Sequence, residues 1–169
     1  MNAPTDHATF LHAVQHGDDD PASAFRALHA FADALIGARL FTLMRFDAAT
    51  GEACRLYTSD PANYPVSGTK PLPDNHWTAQ VIERREVFVA NDLAGLGAVF
   101  PDHALIDSLG CQAVINVPVA FAGEVIGTVN CLHGAGRYTD ARVRSAAALV
   151  MPGLVALLAA RRGQDRSIP

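Results

Sequence analysis

The chain has 169 residues, half of them hydrophobic and 18% charged, which is enough apolar material for one globular domain with a true core and too little length for two. A formal net charge of -4, with Arg161, Arg162 and Arg166 as the only basic cluster, gives no electrostatic footprint for nucleic acid. Cys54, Cys111 and Cys131 are odd in number, far apart and without CxxC spacing, which argues against a disulfide framework and a zinc site. The first six residues show no charged leader before an apolar core. The longest uncharged apolar run, Ser145 to Ala160, falls short of the ~20 residues of a membrane span and is interrupted at Pro152 and Gly153. The expectation is a cytoplasmic protein with no membrane contact.

In chain order, residues 1–20 read as an N-terminal extension in which Thr9 to Gln15 can form a short helix, ending at Gly17 and the acidic run Asp18 to Asp20. Pro21 to Ile36 is a firmer helix: Asp20 can cap it, Pro21 suits its first turn, Phe25, Leu28, Ala32 and Leu35 make one stripe, and Gly37 ends it. Arg39 to Phe46 and Glu52 to Ser59 alternate and are joined by Asp47 to Gly51, which predicts a hairpin. Pro61, Pro65, Pro71 and Pro73 mark Asp60 to Asp74 as a long loop, a length that points to function. Asp74 or Asn75 then caps a helix to about Arg85 with Trp77, Val81 and Ile82 inward, followed by a short strand, Val87 to Ala90. Asn91 to Gly97 reads as irregular. Pro101 opens a short helix, capped by Asp102, that buries Leu105, Ile106 and Leu109 and stops at Gly110.

Ala113 to Phe121 and Glu124 to Leu132 are rich in Val, Ile and Thr and form a second predicted hairpin. A two-residue turn would force Ala122 to positive φ, so the expected connection is a three-residue loop, Phe121 to Gly123, with Gly123 in the left-handed position. Period 2 then puts Ile115, Val117, Val119, Val125, Gly127, Val129 and Cys131 on a dry face. Val114, Asn116, Pro118, Ile126, Thr128, Asn130 and Leu132 share a mixed, uncharged face suited to the floor of an enclosed site. Thr139 caps a last long helix to about Arg162, kinked by Pro152, whose apolar residues spread beyond one stripe. That pattern suits packing on the sheet and on a second copy of the chain.

With Ala113-Val-Ile-Asn-Val-Pro-Val119 and Gly123-Glu-Val-Ile-Gly-Thr-Val-Asn130 in this order of elements, the chain resembles a stand-alone GAF domain over roughly residues 21–160. The resemblance implies an α/β (α+β) fold: a central antiparallel sheet, N- and C-terminal helices on one face and often dimerising, and a ligand pocket under loops and short helices on the other. Residues 21–162 would form the domain and 163–169 a C-terminal tail. It also implies a sensory or regulatory module for a small molecule, GAF ligands being cyclic nucleotides, bilins, haem or small metabolites, and leaves the ligand and any cofactor unspecified.

The candidate ligand-binding residues are Asn116, Thr128 and Asn130 from the mixed face, Trp77 and Val81 from the helix after the proline-rich loop, and Asp92, Phe100 and His103 from the segment that would close a lid. Together they give apolar walls with a few polar groups. No catalytic set and no metal site is expected: the histidines lack ligand spacing, and Gly95 and Gly97 do not make a phosphate loop. Two alternatives stay open. One is an enzyme resembling free methionine-(R)-sulfoxide reductases, although Val114, Asn130 and Leu132 stand where that branch carries carboxylates, and only Cys111, beside Gly110, is placed for exposure. The other is a ligand-free dimerisation module. In the sensor reading the protein is a homodimer through its terminal helices, with output through a separate partner.

Overall fold

The computed structural model describes residues 7–17 and 20–165. The expectations for the first six residues, for Asp18 and Asp19, and for the end of the tail lie outside them. Helix α1 (His7–His16) buries Phe10 against α2 (Ala22–Ile36), whose first free amide, Ala22 N, donates to Asp20 Oδ1 at 3.0 Å and whose end is closed by Gly37 at φ 85°. Strands β1 (Leu40–Asp47) and β2 (Glu52–Thr58) form the first hairpin, and within the proline-rich loop β3 (Lys70–Pro71) adds a two-residue edge to β2. Helix α3 (His76–Thr78), capped by Asn75 Oδ1 on Trp77 N at 2.9 Å, runs into a π-helical turn, Ala79–Glu83. Then come β4 (Phe88–Ala90), α4 (Leu93–Gly97), α5 (His103–Ser108), the long hairpin β5 (Ala113–Phe121) and β6 (Glu124–His133), and the C-terminal helix as α6 (Asp140–Ser145), a 3₁₀ stretch (Ala146–Leu149) and α7 (Val150–Asp165).

The strands form one antiparallel sheet in the order β3-β2-β1-β6-β5-β4. Its dry face, with Leu43, Ile115, Val117, Val119, Val129 and Cys131, packs on α2 and α7. Two glycines set that approach. A Cβ on Gly127 would run into the Met44 carbonyl and Leu157, and one on Gly153 would press Val119 and Val129, so helix and strand meet closer than larger residues allow. The other face carries a second apolar cluster, including Leu40, Phe46, Trp77, Phe88, Val114 and Leu132, under α3, α4 and α5.

Several expectations are corrected. The β5–β6 turn has two residues, with Phe121 paired to Glu124 and positive φ at both Ala122 (50°) and Gly123 (90°). One residue later the pairing skips from Ala120↔Val125 to Val119↔Gly127, leaving Ile126 as an extra bulge residue. Turn and bulge together restore the parity that a three-residue loop would give, so faces 114–119 and 127–132 are as expected. Only Val125 and Ile126 exchange sides. Asn91 to Gly97 is not irregular, because Asp92 Oδ1 accepts from Gly95 N at 2.7 Å and starts α4. Leu105 is 44% exposed, whereas Ile106 is buried. The disturbance from Pro152 falls upstream, as the 3₁₀ stretch, since a proline lacks the amide that would bond four residues back and its ring crowds that carbonyl. Because Thr139 starts the helix at Asp140, Asp140–Arg161 is long and apolar enough by length and composition to cross a membrane; Ala146, Leu149, Ala156, Leu157 and Ala160 on it are buried in the sheet-facing core.

Candidate functional site

Over the second face lies a cavity of about 280 Å³. Its floor is built from cross-strand rows. One row reads Thr58, Thr42, Asn130, Asn116 and Phe88 across β2, β1, β6, β5 and β4. Three of these side chains, with an indole from the roof, form one directed chain. Trp77 Nε1 donates to Asn116 Oδ1 at 2.9 Å, Asn116 Nδ2 donates to Asn130 Oδ1 at 2.7 Å, and Asn130 Nδ2 donates to Thr42 Oγ1 at 3.1 Å. An indole can only donate, so it fixes the orientation of both amides in turn. All four residues are buried, and each polar group in the chain finds a partner, as burial demands.

The neighbouring row reads Arg55, Met44, Thr128 and Pro118. Here satisfaction fails. The Thr128 hydroxyl, on a residue 1% exposed, and the Nε of Arg55 are buried without a hydrogen-bond partner. Arg55 otherwise lies over the Tyr64 ring, 3.8 Å from its centroid, and donates to the Pro65 carbonyl at 2.6 Å. Its direct contacts are thus a neutral ring and a neutral carbonyl, with the Asp102 carboxylate bound to the hydroxyl of the same Tyr64.

The roof comes from the proline-rich loop and from the segment between α4 and α5. Tyr64 donates its hydroxyl to Asp102 Oδ2 at 2.7 Å, joining the two stretches over the cavity. Burial, and then the Asp102 carboxylate, push the Tyr64 phenol well above its ordinary range, so it stays a donor. Asp102 therefore does not cap α5 with its side chain, contrary to expectation: its carboxylate is turned to Tyr64 instead. Trp77 stands edge-on to Phe46 (6.2 Å between centroids) and to Phe100 (6.3 Å), giving an aromatic wall.

Of the residues picked from sequence, Asn116, Thr128, Asn130, Trp77 and Phe100 are brought together as cavity lining. Val81, Asp92 and His103 are not. Val81 is wholly buried in the apolar cluster behind the wall, Asp92 caps α4, and His103 Nδ1 lies 2.9 Å from the Phe100 carbonyl. Sequence reasoning missed Thr42, Arg55, Tyr64, Lys70 and Asp102, which also line the cavity. Thr42 had a usable signal, since it alternates with Met44 and Phe46 in the first hairpin. Arg55 did not, because Leu56 is a bulge residue: the pairing skips from Leu43↔Tyr57 to Met44↔Arg55, which turns Arg55 to the cavity side. None of the three cysteines lines the cavity. Cys111, the one cysteine the sequence placed where exposure was open to it, is buried, and burial raises its thiol above the ordinary range; Cys131 is buried and raised likewise.

A family model described as a GAF domain matches residues 18–157. Among solved structures, the GAF domain of a two-component sensor histidine kinase from Bacillus halodurans superposes with a TM-score of 0.68 at 9% identity, covering 87% of this chain and 99% of that one. The GAF domain of a phosphoenolpyruvate-protein phosphotransferase from Coxiella burnetii gives 0.67 at 14%, covering 97% and 99%. The free methionine-R-sulfoxide reductase of Neisseria meningitidis, in complex with its substrate, gives 0.64 at 13%, covering 92% and 89%. At such identities these likenesses show the fold. No curated protein sequence matches the chain.

Proposed function

The chain belongs to the GAF domain family, and from that premise we propose that it is a small-molecule sensor acting as a cytoplasmic homodimer whose output passes to a separate partner protein. The working unit is residues 21–162, with 1–20 as an extension and 163–169 as a tail. The observation that carries the binding half is a roofed cavity whose floor leaves the Thr128 hydroxyl unpartnered while every neighbouring amide is satisfied. Asn116, Thr128, Asn130, Trp77 and Phe100 contact the ligand in this reading, and Val81, Asp92 and His103 hold the walls that do.

Ligand binding would favour the joined state of the Tyr64 loop and the α5 segment, and β6 offers the route outward. Thr128 faces the cavity, while its neighbours Gly127 and Val129 meet Leu157 and Gly153 of α7. The outer side of α7 supports the dimer half: Met151 is 63% exposed, and Leu154, Val155 and Leu158, at helical spacing from it, are only half-buried. Such a signal requires the ligand to bind the two states of the lid with different affinity.

Native mass spectrometry of freshly purified protein tests the binding half. A copurifying compound, released on denaturation and retained less by Asn130→Ala, is expected; a protein free of guest that also binds nothing from a metabolite library sinks the reading. Sedimentation tests the dimer half: a chain that stays monomeric at ~100 μM, where micromolar affinity would assemble most of it, contradicts the helix interface.

A further inference from the structure

Resting on the reading of the cavity as a ligand site, we infer that its ligand is a small apolar monocarboxylate, with Arg55 as the counter-charge. Size comes first. A cavity of about 280 Å³ lies at the lower end of small-molecule sites. Character comes next: Met44, Phe46, Trp77, Phe100, Val114 and Leu132 make the walls apolar, and the perpendicular aromatic rings favour a flat or slim body between them.

Charge then selects the polar end. Arg55 lines the cavity with its Nε unpartnered and only neutral groups, the Tyr64 ring and the Pro65 carbonyl, holding its guanidinium. Arg55 is half-buried with its Nε inside and unpartnered, and a carboxylate matches the planar donors of a guanidinium. Lys70 is exposed at the rim, and Asp102, whose carboxylate is engaged by Tyr64, adds a negative charge of its own. One inner cation opposed by one fixed carboxylate suits a singly charged ligand better than a doubly charged phosphate ester. The Thr128 hydroxyl, unpartnered in the same cross-strand row as Arg55 and on a residue that lines the cavity, offers the ligand a second hydrogen bond.

The chain has a single tryptophan, Trp77, inside the wall, so intrinsic fluorescence reports on this site alone. Benzoate, phenylacetate and hexanoate are titrated against the parent protein, stripped of any guest, beside benzamide, phenylacetamide and hexanamide. At least one acid is expected to change Trp77 emission saturably and to bind at least tenfold tighter than its amide, the margin of a charge-assisted over a neutral hydrogen bond. Arg55→Gln should bring that acid down to the affinity of the amide, while Arg55→Lys keeps part of the preference. The inference is overturned if no acid outbinds its amide, or if Arg55→Gln, folded by circular dichroism, retains the preference. Amides that bind and compete while acids gain nothing leave the ligand site standing and remove only the carboxylate. Silence from all six, together with no guest by native mass spectrometry, removes both.

Discussion

The unpartnered hydroxyl of Thr128 makes a prediction whose sign is informative. Thr128→Val preserves the shape of the side chain and removes one buried hydroxyl. In protein stripped of guest that hydroxyl meets no protein acceptor or donor, so the folded state carries its desolvation cost, about 1–3 kcal/mol for an unsatisfied buried group. Valine should therefore stabilise the stripped protein by about 1 kcal/mol, allowing for partial relief by water in the cavity, which raises the melting temperature by about 2–4 °C for a domain of this size. In guest-loaded protein the same change removes a satisfied group and should be neutral or destabilising by about 1 kcal/mol. Thr42→Val is the control: it lies on the adjacent strand in the same sheet face, but its Oγ1 accepts from Asn130 Nδ2 at 3.1 Å. That change strands the amide hydrogen of Asn130 and should cost about 1–2 kcal/mol in both states. Urea unfolding of the parent and both variants, before and after stripping, measures all of this. A Thr128→Val variant that loses 1 kcal/mol or more in stripped protein, as Thr42→Val does, would show that the hydroxyl has a structural partner and refute the reasoning.

Other changes test the frame that holds the site. Ala122→Asn places a residue tolerant of positive φ at 50° beside Gly123 and should raise stability by about 1 kcal/mol in the same urea assay. Gly127→Ala drives a methyl into the Met44 carbonyl and Leu157, so a loss of about 3 kcal/mol or failure to accumulate folded protein is expected, read by thermal melting and soluble yield. Tyr64 and Tyr138 are buried, and burial first of all raises their phenols far above the ordinary range. A folded-state pKa above the unfolded 10 means stability is intact below pH 10 and falls as pH rises beyond it, so absorbance at 295 nm in a Tyr57→Phe background should show ionisation only together with unfolding; a phenol titrating near 10 in that folded protein contradicts the packing.

Much of this fold was legible because its strongest signals are local. The alternation of Ala113 to Val119 and Gly127 to Leu132 separates the two faces without any knowledge of pairing, and Asn75 and Thr139 act as the caps their positions announce. The lid was less legible for a reason of distance. Tyr64 and Asp102 are 38 residues apart, each in a segment with no periodicity, and nothing local distinguishes a carboxylate that will cap its own helix from one that will bond a remote phenol. Asp92 and Asp102 illustrate the choice: both precede short helices, yet the first takes the local amide and the second the distant hydroxyl.

The bulges decide more than the registers they disturb. Counting by twos from Thr58 toward the N-terminal end of β2 puts Leu56 and Cys54 on the side of Thr42 and sends Arg55 to the helices, where an unpaired guanidinium would be buried against α2 at prohibitive cost. The extra residue at Leu56 reverses that assignment: Leu56 and Tyr57 both join the helix-side core, and Arg55 comes to Met44 on the cavity side. On β6 the extra residue Ile126 does the same, moving to the helix side beside Gly127, while Val125 pairs with Ala120 over the cavity-side cluster. Both irregularities lie toward the same end of the sheet, next to the row that holds the two unpartnered polar atoms. The insertion at Leu56 brings Arg55 to the cavity side and the one at Ile126 removes an isoleucine from it, whereas Thr128 faces the cavity under regular alternation as well. Deleting Leu56 removes only the extra residue and leaves Arg55 opposite Met44 on the cavity side, so a folded deletion variant should keep any acid-over-amide preference; loss of that preference in a folded variant would show that Arg55 is not placed by strand register alone.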